Sequence, residues 1–184
     1  MKLKHYLVDY AMLLGVGGLI VALDQWTKYL IRANLAFGEV FMPDFWLTQY
    51  VRLIHWKNTG AVFGIFQNMG DVFMVLSFIV AAAILYFFPQ VPRKDWGLRL
   101  AMCLQFGGAI GNLIDRLTRG YVTDFVSVGN FAVFNVADAC ISMGVAVLVL
   151  DLLIRDQREK RAAANLPVEA RELEAGELEE GKGE

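Results

Sequence analysis

Four apolar blocks, each long enough to cross a bilayer, constrain this chain more than anything else in it. They cover about 10–35, 72–88, 96–117 and 137–154, and a spanning helix needs roughly 17–25 mainly apolar residues. Apolar residues make up 57% of the 184-residue chain and mean hydropathy is +0.45, so a water-soluble domain is a poor fit. The expected fold is mainly α: a polytopic membrane protein with four transmembrane helices. The membrane domain covers 1–161, and 162–184 reads as a disordered, acidic cytoplasmic tail. The first block is too long for the apolar region of a signal peptide and no small-x-small cleavage site follows it, so it reads as a retained span.

Between the first two spans the chain leaves lipid. The stretch 45–56 mixes aromatic and β-branched residues without a helical period, which predicts short strands beside the bilayer. Trp46, Tyr50 and Trp56 suit a membrane–water interface. The following stretch 58–66 is too short to span and reads as a short interfacial helix. Residues 121–136 alternate around Gly129-Asn130, a candidate hairpin turn, and with 45–56 they predict a small extracytoplasmic β-sheet. Basic residues concentrate at the N-terminus, in 89–99 and after Ile154, which puts both termini in the cytoplasm.

That orientation gathers the strongly polar intramembrane residues at the outer leaflet. Asp24 and Lys28 are four apart in the outer half of the first span and share a helix face with Gly17. Gly108, Asn112 and Asp115 fall on one face of the third span, beside Gly107 and Gly111. Arg116 follows, Asp124 lies in the connection, and Asn135, Asp138 and Ser142 share a face of the fourth span. Ionisable groups are costly in lipid and mark function by default.

The chemistry that fits is acid–base. Two carboxylates brought together in a partly dry site share a proton, so one serves as base and one as acid near neutral pH. A water between them can attack a peptide carbonyl without metal or covalent intermediate. Other peptidase chemistries lack their parts: no Gly-x-Ser-x-Gly elbow occurs, and Cys103 and Cys140 read as free cysteines in helix interiors. His5 and His55 form no metal motif, so no metal or cofactor is expected. No basic surface suggests nucleic acid.

Five blocks carry a resemblance. They are Asp24-Gln25-x-Thr27-Lys28, Asn58-Thr59-Gly60-Ala61-x-Phe63, Gly111-Asn112-x-x-Asp115-Arg116, Val122-x-Asp124-Phe125 and Phe134-Asn135-x-Ala137-Asp138. In this order, over about residues 10–155, the chain resembles the lipoprotein signal peptidases, or signal peptidase II. The resemblance implies an aspartic endopeptidase of the bacterial inner membrane. Such enzymes remove signal peptides from prolipoproteins, cutting just before a diacylglyceryl-modified cysteine. It places the catalytic pair on Asp124 and Asp138, near the extracytoplasmic face. It puts Asn58, Asn112, Arg116 and Asn135 along the substrate pocket. Asp24 and Lys28 become a supporting polar cluster, and Asp115 a supporting acid that pairs with Arg116 or orients its neighbours. A monomer acting on lipid-modified prolipoproteins within membrane lipid is expected. The competing readings are a small carrier or proton-coupled transporter using buried Asp and Lys, and a subunit assembling through its glycine stripe.

Overall fold

The computed structural model describes residues 2–42, 50–60, 69–129 and 131–164. Its elements are α1 (Lys2–Asn34), β1 (Val40–Phe41), β2 (Val51–Asn58), α2 (Gly70–Phe87), α3 (Trp96–Arg119), β3 (Val122–Val128) and α4 (Val136–Ala164). Among the described residues, four stretches are long and apolar enough to cross a membrane: Tyr6–Asn34, Gly70–Gln90, Trp96–Arg119 and Val136–Arg158. The four expected spans are all present, with ends shifted by a few residues. Parts of several expectations lie outside the described residues: the start of the 45–56 strand, 61–66 of the interfacial helix, Asn130 of the turn and the tail beyond 164.

The chain divides into two compact units, Met1–Val147 and Leu148–Glu184. In the second, the described residues continue α4, whose Asp151–Arg155 and Asp156–Lys160 pairs close at 2.7 Å. Pairs four apart on an exposed helix face stabilise it by only about 0.3–0.5 kcal/mol each.

In the first unit α3 is the central helix. Its span is 61% buried, against 22% or less for the other three. Small residues make this possible by letting backbones approach closely. A Cβ on Gly107 would sit 2.7 Å from Ile20 Cβ of α1, and one on Gly108 would sit 2.6 Å from the Ala137 carbonyl oxygen of α4. Gly108→Ala is therefore expected to push α4 off α3 and cost about 1–3 kcal/mol, the usual range for overpacking. Gly18→Ala, with nothing within 4 Å of the new Cβ, is expected to cost nothing. Thermal unfolding of both variants in detergent checks the contrast.

The connection from α3 to β3 is short because Gly120 ends the helix in the left-handed region (φ 76°), with its N–H donating to the Arg116 carbonyl at 3.0 Å. β3 then pairs antiparallel with β2, and β2 with β1, giving the order β1-β2-β3. This is the small sheet expected from sequence, with differences. Among the described residues, β2 starts at Val51 and extends through Asn58, and the two-residue β1 was not anticipated. The hairpin expected over 121–136 is reduced: Gly129 turns the chain at φ 52°, and the returning arm makes one bridge, Phe134 to Val126. The reason is that α4 starts at Val136 and takes up the backbone groups beyond.

One expectation fails. The strongly polar residues within the spans do not all gather at one end. Asp9 and Arg99 are both buried and pair at 2.7 Å near the first turns of α1 and α3. Helix α1 begins earlier than the expected span, at Lys2, and so carries Asp9 into the bundle.

Candidate active site

The last turns of α1 and α3, the first turn of α4 and the strand β3 meet at one end of the bundle. Asn135 is the residue before α4, and its side-chain oxygen accepts the Asp138 N–H at 2.9 Å. Asp138 Oδ2 in turn accepts the Asn135 N–H at 3.2 Å. This reciprocal pair is a capping box, in which two N–H groups at a helix start satisfy each other's side chains. It fixes Asp138 in the first turn, where the helix dipole favours a negative charge.

Asn135 has a second task. Its amide Nδ2 donates to Asp124 Oδ1 at 2.6 Å and to Asn112 Oδ1 at 3.2 Å. Asn112 Nδ2 donates to Asp138 Oδ1 at 2.8 Å. The two asparagines thus bridge Asp124 to Asp138. Asn58, on β2 at the position paired with Val122, donates its amide to Asp124 Oδ2 at 2.9 Å. Both oxygens of Asp124 are held, and its side chain is almost fully buried (1% exposed). Burial, followed by the nearby charge of Asp138, pushes the Asp124 carboxyl up to about 7, although the Asn58 and Asn135 bonds pull the other way.

Behind these residues lies a buried ionic layer. Lys28 Nζ reaches Asp24 Oδ2 at 2.8 Å and Asp115 Oδ2 at 3.5 Å, and all three side chains have no exposure. The same ammonium donates to Asn112 Oδ1 at 2.9 Å. An ammonium has no acceptor, so Lys28 fixes which way Asn112 points: oxygen to lysine, amide to Asp138. Asp24 Oδ1 accepts the Ala137 N–H at 2.9 Å, satisfying a further free donor at the start of α4. Lys28 and Asp24 are therefore a fully enclosed pair.

Asp115 does not pair with Arg116. Its carboxylate accepts the Thr123 N–H at 2.9 Å and faces Arg32 at 3.7 Å and Arg119 at 3.8 Å. The side chain of Arg116 points the other way, with its guanidinium carbon 5.6 Å from the Phe73 ring centroid. Asp115 instead ties β3 to the end of α3 and so places Asp124. Sequence reasoning passed over Arg32, whose guanidinium donates to Thr123 Oγ1 at 3.0 Å. Its signal was the spacing: Asp24, Lys28 and Arg32 recur every four residues.

Asp138 opens onto a cavity of about 350 Å³. Asn58, Asn112 and Arg116 line its polar end, while Leu76, Val80, Ile141 and Val145 make an apolar wall. A second cavity of about 270 Å³, lined by Phe131, Phe134, Asp138, Ala139 and Ser142, touches the same carboxylate. The nine residues singled out from sequence thus divide in two. Asp124, Asp138, Asn58, Asn112, Asn135 and Arg116 surround the acid pair, and Asp24, Lys28 and Asp115 form the layer behind. Two carboxyl groups joined through amides at the mouth of a mostly apolar cavity are equipped for proton transfer to and from a bound polar group.

Three comparisons bear on this arrangement. The family model for Signal peptidase (SPase) II matches residues 16–154. A lipoprotein signal peptidase of Shouchella clausii (strain KSM-K16) is 39% identical over 145 residues, which cover 78% of this chain and 94% of that protein. One from Mesorhizobium japonicum (strain LMG 29417) is 40% identical over 144 residues, covering 76% and 83%. A solved bacterial membrane enzyme superposes with a TM-score of 0.73 at 29% identity, covering 79% of this chain and 90% of that one.

Proposed function

This chain belongs to the signal peptidase II family, and we propose that it removes signal peptides from prolipoproteins using Asp124 and Asp138 as an aspartic pair. Membership makes it a peptidase, and its four membrane-length helices make it a multi-pass membrane protein. Family and site together favour the peptidase over the carrier reading.

The observation that carries the mechanism is the pair of asparagines joining a buried acid to one that opens on a cavity. The scissile carbonyl lies beside Asp138, with apolar parts of the substrate along Leu76, Val80 and Ile141. One carboxylate takes a proton from water as its oxygen bonds to the carbonyl carbon. The other, protonated, donates to the carbonyl oxygen. Collapse of the tetrahedral intermediate breaks the C–N bond: the leaving nitrogen takes the proton held by the first acid, and one hydroxyl of the intermediate returns its proton to the second. Arg116 and Asn58 are placed to bind substrate carbonyls at the polar end. The bond cut is the one before a diacylglyceryl-modified cysteine, whose acyl chains stay in the bilayer. With the positive residues inside, this chemistry takes place at the extracytoplasmic boundary.

The test is purified protein with a diacylglyceryl-modified prolipoprotein and with its unlipidated form. Cleavage of the first alone is expected, and cleavage of neither overturns the reading. The pH profile carries a sign. Since the Asp124 carboxyl titrates near 7, raising pH past about 7 strips the shared proton and kcat/KM falls on the alkaline side.

A further inference from the structure

The α3 face that carries Asn112 and Arg116 continues away from the acid pair. Gln105, Ala109, Asn112 and Arg116 are four, three and four apart, so they share one side of the helix. All four line the cavity of about 350 Å³, and together they make its floor. Leu76 and Val80 of α2 stand along one side, and Ile141 and Val145 of α4 along the other. Away from the polar end, the lining side chains with hydrogen-bonding groups are Ser77 and Gln105. Ser77 already donates its hydroxyl to the Phe73 carbonyl at 2.7 Å.

Gln105 makes no hydrogen bond among the described residues. Its amide is not sealed in the core either: among those residues, the buried side-chain polar atom left without a partner is His55 Nε2. The amide is therefore open to the cavity. Its stem is held, because a Cβ on Gly144 would stand 2.9 Å from Gln105 Cγ, so α4 closes on the side chain at a residue without one. A polar group within a span is costly and marks function by default. Depth says what this one meets. Gln105 is seven residues before Asn112, about 10 Å along the helix axis, and Asn112 bonds Asp138 at 2.8 Å. Acyl chains gain nothing from a carboxamide. A helical peptide gains little, since its backbone groups bond each other. An extended peptide in the same place has N–H and C=O groups that each need a partner. A carboxamide carries a donor and an acceptor on one head, which matches the two groups of one backbone residue.

Given peptidase action at Asp138, we infer that Gln105 is a substrate-binding residue that reads the backbone of the signal peptide. The cavity takes the segment before the cut in extended form. At about 3.3 Å per residue, the Gln105 amide pairs with the backbone about three residues before the scissile bond. The acyl chains of the modified cysteine then lie outside this cavity.

The experiment uses the purified full chain and a synthetic diacylglyceryl-modified precursor peptide, with the backbone amides before the cut replaced by esters one at a time. An ester lacks the N–H and is a weaker acceptor. Gln105→Met keeps the size of the side chain and removes its amide. It is expected to raise KM about tenfold with kcat unchanged, as lost binding remote from the reacting atoms does. Its melting temperature is expected to match or exceed the parent's. The ester about three residues before the cut is expected to cost the parent about fivefold in kcat/KM and Gln105→Met nothing further. The other esters cost both proteins alike. An unchanged KM overturns the inference. So does a Gln105→Met loss that is the same on every ester, which is what a merely structural role gives. Faster cleavage by Gln105→Met means that acyl chains fill the cavity, and overturns it too. No cleavage by the parent defeats the peptidase reading and this one with it, whereas cleavage indifferent to Gln105 defeats this one alone.

Discussion

Asp138→Asn is expected to lower turnover of lipid-modified precursor about 10³-fold or more while leaving a folded, membrane-inserted protein, and Asp124→Asn to do the same. A positioned acid or base contributes roughly 10²–10⁴-fold, and here each acid serves both halves of the reaction. The structural cost is smaller. Asp138 accepts from two donors, Asn112 Nδ2 and the Asn135 N–H. A carboxamide at that place turns an NH2 toward one of them, which leaves a donor unsatisfied at about 1–3 kcal/mol. Asp124 meets the same conflict between Asn58 and Asn135. Melting temperature should therefore fall by several degrees in both variants, far less than activity falls. Because the acids act as a unit, the double variant is expected to be no slower than the worse single one. Normal precursor processing by the double variant ends the proposal. So would activity losses that merely follow the unfolded fraction.

Much of this was legible from sequence because it depends on local spacing. Span length gave the four helices, and four-residue spacing gave the Asp24–Lys28 pair. The capping box was equally local: Asn135 and Asp138 are three apart at the start of a helix. The same spacing also puts the two residues on one helix face, and only the unpaired N–H groups of the first turn distinguish a cap from a shared face. What spacing cannot give is a partner from a distant part of the chain. Asp115 has a neighbour, Arg116, at the next residue, yet its nearest groups are the Thr123 N–H, the Gln25 amide and Lys28. Consecutive residues on a helix point about 100° apart and do not face each other. The Asp9–Arg99 pair spans ninety residues, and no local pattern joins its members.

The two layers at the acid pair depend on each other in one direction. The asparagines hold the carboxylates, and the ionic layer holds the asparagines and the start of α4. Asp24 receives the Ala137 N–H, and a Cβ on Gly111 would stand 2.7 Å from Asp24 Oδ2. The close approach of α1 to α3 is thus what lets a carboxylate from the first helix cap the fourth.

Lys28→Met tests that dependence and carries the largest expected loss of stability. Removing the ammonium leaves Asp24 and Asp115 without it at full burial. Breaking a buried ion pair from one side costs about 3–5 kcal/mol, mostly from the uncompensated charge left behind. Asp115 still faces Arg32 at 3.7 Å, so most of the penalty falls on Asp24. Adding Asp24→Asn removes that charge and keeps an oxygen for the Ala137 N–H. The double variant is expected to recover about 1.5–3 kcal/mol of the loss, a coupling within the range found for contacting residues. Activity is expected to behave differently. Asn112 loses the cation that orients it in both variants, so its amide no longer points reliably at Asp138. Misplacing such a group by about 1 Å costs on the order of 10²-fold. The double variant should therefore melt closer to the parent yet remain slow. Paired melting and precursor-cleavage measurements on the three proteins separate the roles. Stability losses that simply add would remove the ion-pair argument. Activity that returns together with stability would remove Lys28 from the positioning of Asn112.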